Sequence, residues 1–183
     1  MANNCQVLSG GYQLAVDECA NYTAGVWHNR IWIASLREVS SWTLSGTDNV
    51  YEDVTFTAGN GFFELDVEKD TCQWRNEYDE GTKSFFQSLS VRIPDLSITA
   101  RNFLQSTKGP DMVIIAELKA GVFQIIGKDS GAQLFSLIGS SEGEEVGYAV
   151  EFRASNMDEL SPHFLETDEA TTLTLLAPKT VTS

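Results

Sequence analysis

Gly61-Phe62-Phe63-Glu64-Leu65-Asp66-Val67-Glu68-Lys69 decides the fold class. Successive side chains of a strand point to opposite faces. Phe63, Leu65 and Val67 therefore share one face, and Glu64, Asp66 and Glu68 share the other. Apolar and acidic residues alternate with period two, which no helix buries on a single stripe. Lys69-Asp70-Thr71 reads as a turn, and Cys72–Asp79 as a returning strand that continues the acidic face through Glu77 and Asp79. Ser84–Ile93 follows, with Gln87, Leu89, Val91 and Ile93 in register.

Outward from this stretch the same grammar of short strands and turn residues recurs. Upstream, Tyr12–Val16, Arg30–Val39 and Asn49–Thr57 read as strands. Downstream, Met112–Leu118, Gly121–Gly127, Ala132–Ile138, Gly147–Arg153 and Thr171–Ala177 do so. Lys128-Asp129-Ser130-Gly131 reads as a hairpin connection. Ser140–Glu145 and Asn156–Pro162 read as polar loops. One segment changes period. In 95–108, Leu96, Ala100, Phe103 and Leu104 recur at helical spacing, capped by Pro94-Asp95 and Ser97 and stopped by Lys108-Gly109-Pro110. The expectation is an all-β sandwich or barrel of about ten strands, with one flanking α-helix lying against a sheet. The chain shows no repeat, low-complexity run or Pro/Gly/Ser linker, so residues 1–183 are expected to form one domain.

Charge narrows the function. Twelve Lys+Arg against 26 Asp+Glu leave −14 at pH 7, with 42% hydrophobic and 21% charged residues. Such a composition buries a core and is not that of a disordered chain. The basic residues are scattered singly, and binding a nucleic-acid backbone requires clustered cations. No apolar run approaches the ~18 residues of a membrane span. Met1-Ala2-Asn3-Asn4-Cys5 lacks a basic and then apolar leader, so synthesis in a cytoplasm is expected. Cys5, Cys19 and Cys72 fit reduced thiols, with a Cys5–Cys19 bridge as the alternative.

Catalytic and metal signatures fail on inspection. Gly121–Lys128 is one residue too long for a phosphate-binding loop, its interior is bulky, and Asp129 stands where Ser or Thr would hold magnesium. Asp66–Glu77 resembles a calcium loop, but Thr71 takes the place of its turn glycine and Trp74 that of a ligand. His28 and His163 lie in no nucleophile or zinc motif. The expectation is no catalytic residue, no metal and no cofactor. The sequon at Asn21 has no meaning without a secretory signal. Trp32 and Trp74 are expected in the core, Trp27 and Trp42 at a subunit interface.

The last third carries a resemblance. Ile125-Ile126-Gly127-Lys128, Leu134-Phe135-Ser136, a Gly/Glu-rich loop through Gly143, Gly147-Tyr148-Ala149-Val150-Glu151-Phe152 and Glu159-Leu160-Ser161-Pro162-His163-Phe164-Leu165 follow in order. This succession resembles the end of bacteriophage tail tube (major tail) proteins. The motif-level likeness spans about 122–165, and the strand-rich architecture with one helix is compatible over most of the chain. The resemblance implies hexameric rings stacked into a tube within the virion tail. It implies DNA passing without specific binding, and other tail proteins (terminator, tape measure or sheath) as partners. It implies no enzymatic role and no membrane. On that reading Glu64, Asp66, Glu68, Glu77 and Asp79 line an acidic lumen, repelling phosphates so that DNA slides. Trp42, Val50, Tyr51, Glu142, Glu144 and Glu145 are the expected inter-ring contacts. The alternative is a capsid decoration or adhesion β-sandwich module of a virion.

Overall fold

The structure, a computed structural model, describes residues 27–46, 49–68, 71–118, 123–140, 146–165 and 168–179. Eleven strands are described: β1 (Trp27–Ser35), β2 (Val39–Leu44), β3 (Val50–Phe56), β4 (Phe63–Asp66), β5 (Gln73–Asp79), β6 (Ser84–Ile93), β7 (Met112–Leu118), β8 (Phe123–Ile126), β9 (Gln133–Ser140), β10 (Gly147–Met157) and β11 (His163–Phe164). Two helices join them, α1 (Ile98–Ser106) and α2 (Glu169–Leu176). The strands form two sheets. One has seven strands in the order β2-β3-β11-β8-β7-β1-β4, the other four in the order β5-β6-β10-β9. The all-β expectation holds, with one helix more than the sequence reading gave. The strand expected at Tyr12–Val16 lies outside the described residues.

The central strands of the seven-stranded sheet are buried on both faces. Ile31 and Ile33 of β1 and Ile114 and Ala116 of β7 face the four-stranded sheet, meeting Leu89, Val91, Val150 and Phe152. On the reverse side Trp32, Ala34, Val113 and Ile115 pack with Val54, Phe62, Phe123, Phe164 and Leu176. A strand buried on both faces loses its polar alternation, which is why Met112-Val113-Ile114-Ile115-Ala116 is apolar without a break. Each large side chain so buried contributes about 1.5–3 kcal/mol.

Two of the four connections between the sheets replace turns that the sequence reads as hairpins. β4 pairs with β1, placing Ile31 opposite Leu65, whereas β5 pairs with β6, placing Trp74 opposite Leu89. The expected β4–β5 hairpin is thus replaced by a crossing. Val67 and Cys72 fill the sandwich edge there, and the Glu68 amide donates to the Arg92 carbonyl at 2.7 Å. β8 and β9 likewise lie in different sheets, so Lys128–Gly131 is also a crossing. Gly127 and Gly131 both adopt positive φ in it, +75° and +80°. Gln87, fully buried on β6, ties this corner by accepting from the Gly127 amide at 3.0 Å and donating to the Glu159 carbonyl at 3.3 Å. Turn residues dictate that the chain changes direction; the apolar faces on either side choose the partner.

The helix at 95–108 forms as Ile98–Ser106. The Ala100 amide donates to Ser97 Oγ at 3.1 Å, and Asp95 accepts from both the amide and the hydroxyl of Ser97. Ala100 and Leu104 are buried, and Phe103 meets Phe63 at the open end of the sandwich. The strand expected at Thr171–Ala177 is instead α2. Asp168 and Thr171 form a reciprocal capping box, and Thr172 and Thr174 donate their hydroxyls to the carbonyls of Asp168 and Ala170. Alternating Thr and Leu imitated a strand, but a capped N-terminus with Pro178 beyond the end favours a helix.

The turn and cap carboxylates predict an acid-sensitive stability. Asp79 lies below its ordinary pKa of 3.8 through hydrogen bonds from Gly81 and Thr82, Asp95 through Ser97, and Asp168 through Thr171. A depressed folded pKa contributes stability in full above 3.8 and loses it as pH falls through the lower folded values. Thermal melts from neutral pH down through this range will therefore show a fall. Asp168→Asn keeps an N-cap acceptor, so it is expected to flatten that fall while leaving the melting temperature near neutrality almost unchanged.

Candidate functional site

The outer face of the four-stranded sheet is the surface with chemistry to examine. Its inner face is spent on Leu89, Val91, Ile93, Val150 and Phe152. Alternation then sends Gln73, Arg75, Glu77 and Asp79 of β5, Phe86, Ser88, Ser90 and Arg92 of β6, and Glu151 and Arg153 of β10 outward. Register builds rows across the sheet. Arg75, Ser88 and Arg153 stand side by side, as do Gln73, Ser90, Glu151 and Ser136. A shallow groove of about 460 Å³ runs between Arg75, Glu77, Phe86, Ser88, Glu151 and Arg153.

Every arginine on this face is held by a carboxylate. Arg75 Nη1 lies 3.1 Å from Glu77 Oε1, Arg153 Nε 2.7 Å from Glu151 Oε1, and Arg92 Nε 3.1 Å from Glu68 Oε2. The Arg153 guanidinium also stacks over Phe135, 3.2 Å from the ring centroid, with Phe86 at 5.4 Å. Exposed pairs of this kind add little stability. Their importance is electrostatic, since a paired guanidinium offers an incoming phosphate less than a bare one.

The five carboxylates expected to share one face do not share one. Glu64 and Asp66 sit on β4 at the edge of the seven-stranded sheet, where Glu64 reaches Arg30 at 3.5 Å and Asp66 is paired opposite it. Glu77 and Asp79 sit on β5 in the other sheet. Glu68 lies in the crossing between them, on Arg92. The sheet change at 67–72 separates what a hairpin would have joined. Asp79 is engaged at the β5–β6 turn, accepting from the Gly81 amide at 2.9 Å. Glu151, which the sequence analysis does not single out, also belongs to the outward face, as its alternation with Val150 and Phe152 indicates.

The expected inter-ring residues are engaged within the chain. Trp42 packs edge-on to Tyr51 and Phe164 at 5.8 and 6.3 Å, and Val50 is paired with His163. Lys128 Nζ sits 4.8 Å above the Tyr51 ring and contacts Asp129 at 2.7 Å and Glu159 at 3.2 Å. Burial alone would lower the Lys128 pKa. Hydrogen bonds to Asp129 and Tyr51, with Glu159, outweigh it and hold the ammonium above its ordinary value. These contacts dock the β2–β3 hairpin on the corner after β8. Glu142, Glu144 and Glu145 lie outside the described residues.

The remaining candidates behave as structural groups. Burial pushes the Cys72 thiol up to about 12, which leaves it protonated near neutrality and a poor nucleophile. Burial also lowers the His163 pKa, and its Nδ1 lies 3.1 Å from Gln124 Nε2. Phe123–Ile126, within the stretch that resembled a phosphate loop, is a fully buried strand. Trp32 is buried in the core, and half-buried Trp74 donates its indole N–H to Ser161 at 3.2 Å. Among the described residues, no three His, Cys, Asp or Glu side chains converge as a metal site, and no helix is long and apolar enough to cross a membrane. No protein-family model, curated protein or solved structure matches this chain significantly.

Proposed function

We propose that this chain is the structural subunit of a bacteriophage tail tube. Copies close into rings, expected to be hexameric, and the rings stack into a conduit for DNA in the virion tail. The open face of the four-stranded sheet faces the bore. The observation that carries the reading is the pairing of Arg75, Arg92 and Arg153 with Glu77, Glu68 and Glu151. Duplex DNA presents one negative charge per about 1.7 Å of axis, and binding it requires cations that displace its counterions. A face whose guanidiniums are already neutralised, in a chain of net charge −14, lets phosphates pass without adhering. Glu77, Asp79 and Glu151 are its acidic lining, while Glu64 and Asp66 belong to the edge of the other sheet.

The subunit's role is mechanical, with no catalysis and no bound cofactor. Its partners are further copies of itself and the tail proteins that cap, fill or surround the tube. The resemblance of residues 122–165 to tail tube proteins supports the same reading. Negative-stain microscopy of the purified full-length protein tests it. Rings or tubes of uniform bore are the expected result. Discrete monomers or trimers at all concentrations would overturn it in favour of a decoration or adhesion module.

A further inference from the structure

We propose that a second copy of this chain docks its β5 against β9 of the first, with Leu137 directly across from Tyr78. The inference rests on the ring reading and names the strands that join its members. Among the described residues, β5 and β9 are the two edges of the four-stranded sheet. All three strand pairs between them are antiparallel. An even number of strands makes β5 and β9 run in opposite directions. A copy added head to tail therefore presents its β5 antiparallel to β9, and the sheet continues without a break.

β9 is built to be covered. Gln133–Ser140 contains no charge, and Phe135, Leu137 and Ile138 are 58%, 40% and 63% exposed. Long uncharged edges template association, and proteins that stay single guard them with charge, proline or a bulge. β9 has one irregularity. Ser136 pairs with Glu151 but Leu134 with Phe152, so Phe135 is an extra residue bulged onto the open face, where Arg153 stacks over it. The bulge leaves Ser136–Gly139 as the regular segment that a partner strand would meet.

Side-chain direction fixes the register. Leu137 is opposite Val150 and so points to the core side of the sheet. On β5 the residues pointing that way are Trp74, Asn76 and Tyr78. Trp74 is half-buried and bonded to Ser161, and Asn76 accepts from Ser161 at 3.0 Å. Tyr78 leans on Phe85 at 5.6 Å and remains 58% exposed. Placing Leu137 across from it covers an exposed apolar side chain on each edge. The same register sets Ser136 beside Asp79, a hydroxyl against a charge.

Cross-linking of the full-length protein tests the proposal. In a Cys5→Ser/Cys19→Ser background, oxidation of the Leu137→Cys/Tyr78→Cys variant is expected to give a ladder of covalent multimers on a non-reducing gel. An equimolar mixture of the two single variants is expected to stop at dimers. Leu137→Lys, at an exposed edge, is expected to keep the circular dichroism spectrum and shift the protein to monomer in sedimentation. Absence of a ladder, a stronger ladder from Leu137→Cys/Asn76→Cys, or multimers undiminished by Leu137→Lys would overturn this pairing. Tubes by microscopy without the ladder would sink the pairing alone. A ladder from particles that never form rings or tubes would sink the tube reading alone.

Discussion

Gly127→Ala is expected to remove about 3–5 kcal/mol, among the largest effects available to a single methyl group. Gly127 has a φ of +75°, a region that alanine enters only with strain. A Cβ there would lie 2.3 Å from the Ala132 amide nitrogen and 2.7 Å from the Met112 carbonyl oxygen. Both are backbone atoms, and they are bonded to each other in an isolated bridge, with Met112 and Ala132 exchanging hydrogen bonds of 2.9 and 2.7 Å. Neither retreats without opening that bridge, and the Gly127 amide would also leave Gln87, stranding a fully buried side-chain oxygen. Urea denaturation checks the effect. A midpoint close to the wild type would show that the corner after β8 relaxes cheaply.

The second large effect is electrostatic. Glu77→Lys with Glu151→Lys removes the partners of Arg75 and Arg153 and adds two cations beside them. The face changes from neutralised to basic with no buried residue altered. Purified assemblies of this variant are expected to retain duplex DNA in a salt-dependent way. If six or more phosphates are engaged, binding should weaken about 10³-fold between 50 and 200 mM salt, since each neutralised phosphate releases counterions. Wild-type assemblies are expected to retain none. A variant that forms normal assemblies yet holds no DNA would remove this face from the bore.

Much of the fold could be read from the residues because local periodicity and burial agree there. Ser84–Ile93 and Met112–Leu118 are strands with the expected limits, and the helix at 98–106 follows from its spacing and caps. Failures fall where long-range choice governs. β11 is two residues long, and His163-Phe164 is a strand only because β3 and β8 flank it. The alternation at Glu64, Asp66 and Glu68 is legible in the sequence, but the sheet it borders depends on a crossing that no local pattern announces. The arginines of the candidate surface carry no local signal for the same reason. Arg153 gains meaning from Phe135 and Glu151, and the bulge that brings Phe135 over it arises from pairing between strands.

Of the four connections that pass between the sheets, the one after β4 and the one after β8 reach opposite edges of the four-stranded sheet, β5 and β9. The layers of the sandwich cannot delaminate like loose sheets of paper, because peeling either edge strains a covalent seam. Hydrogen exchange should accordingly report β6, β7 and β10 opening together as one foldon, with a shared free energy. A chain laced in this manner resists shear as a unit, a property that the proposed ring subunit would use.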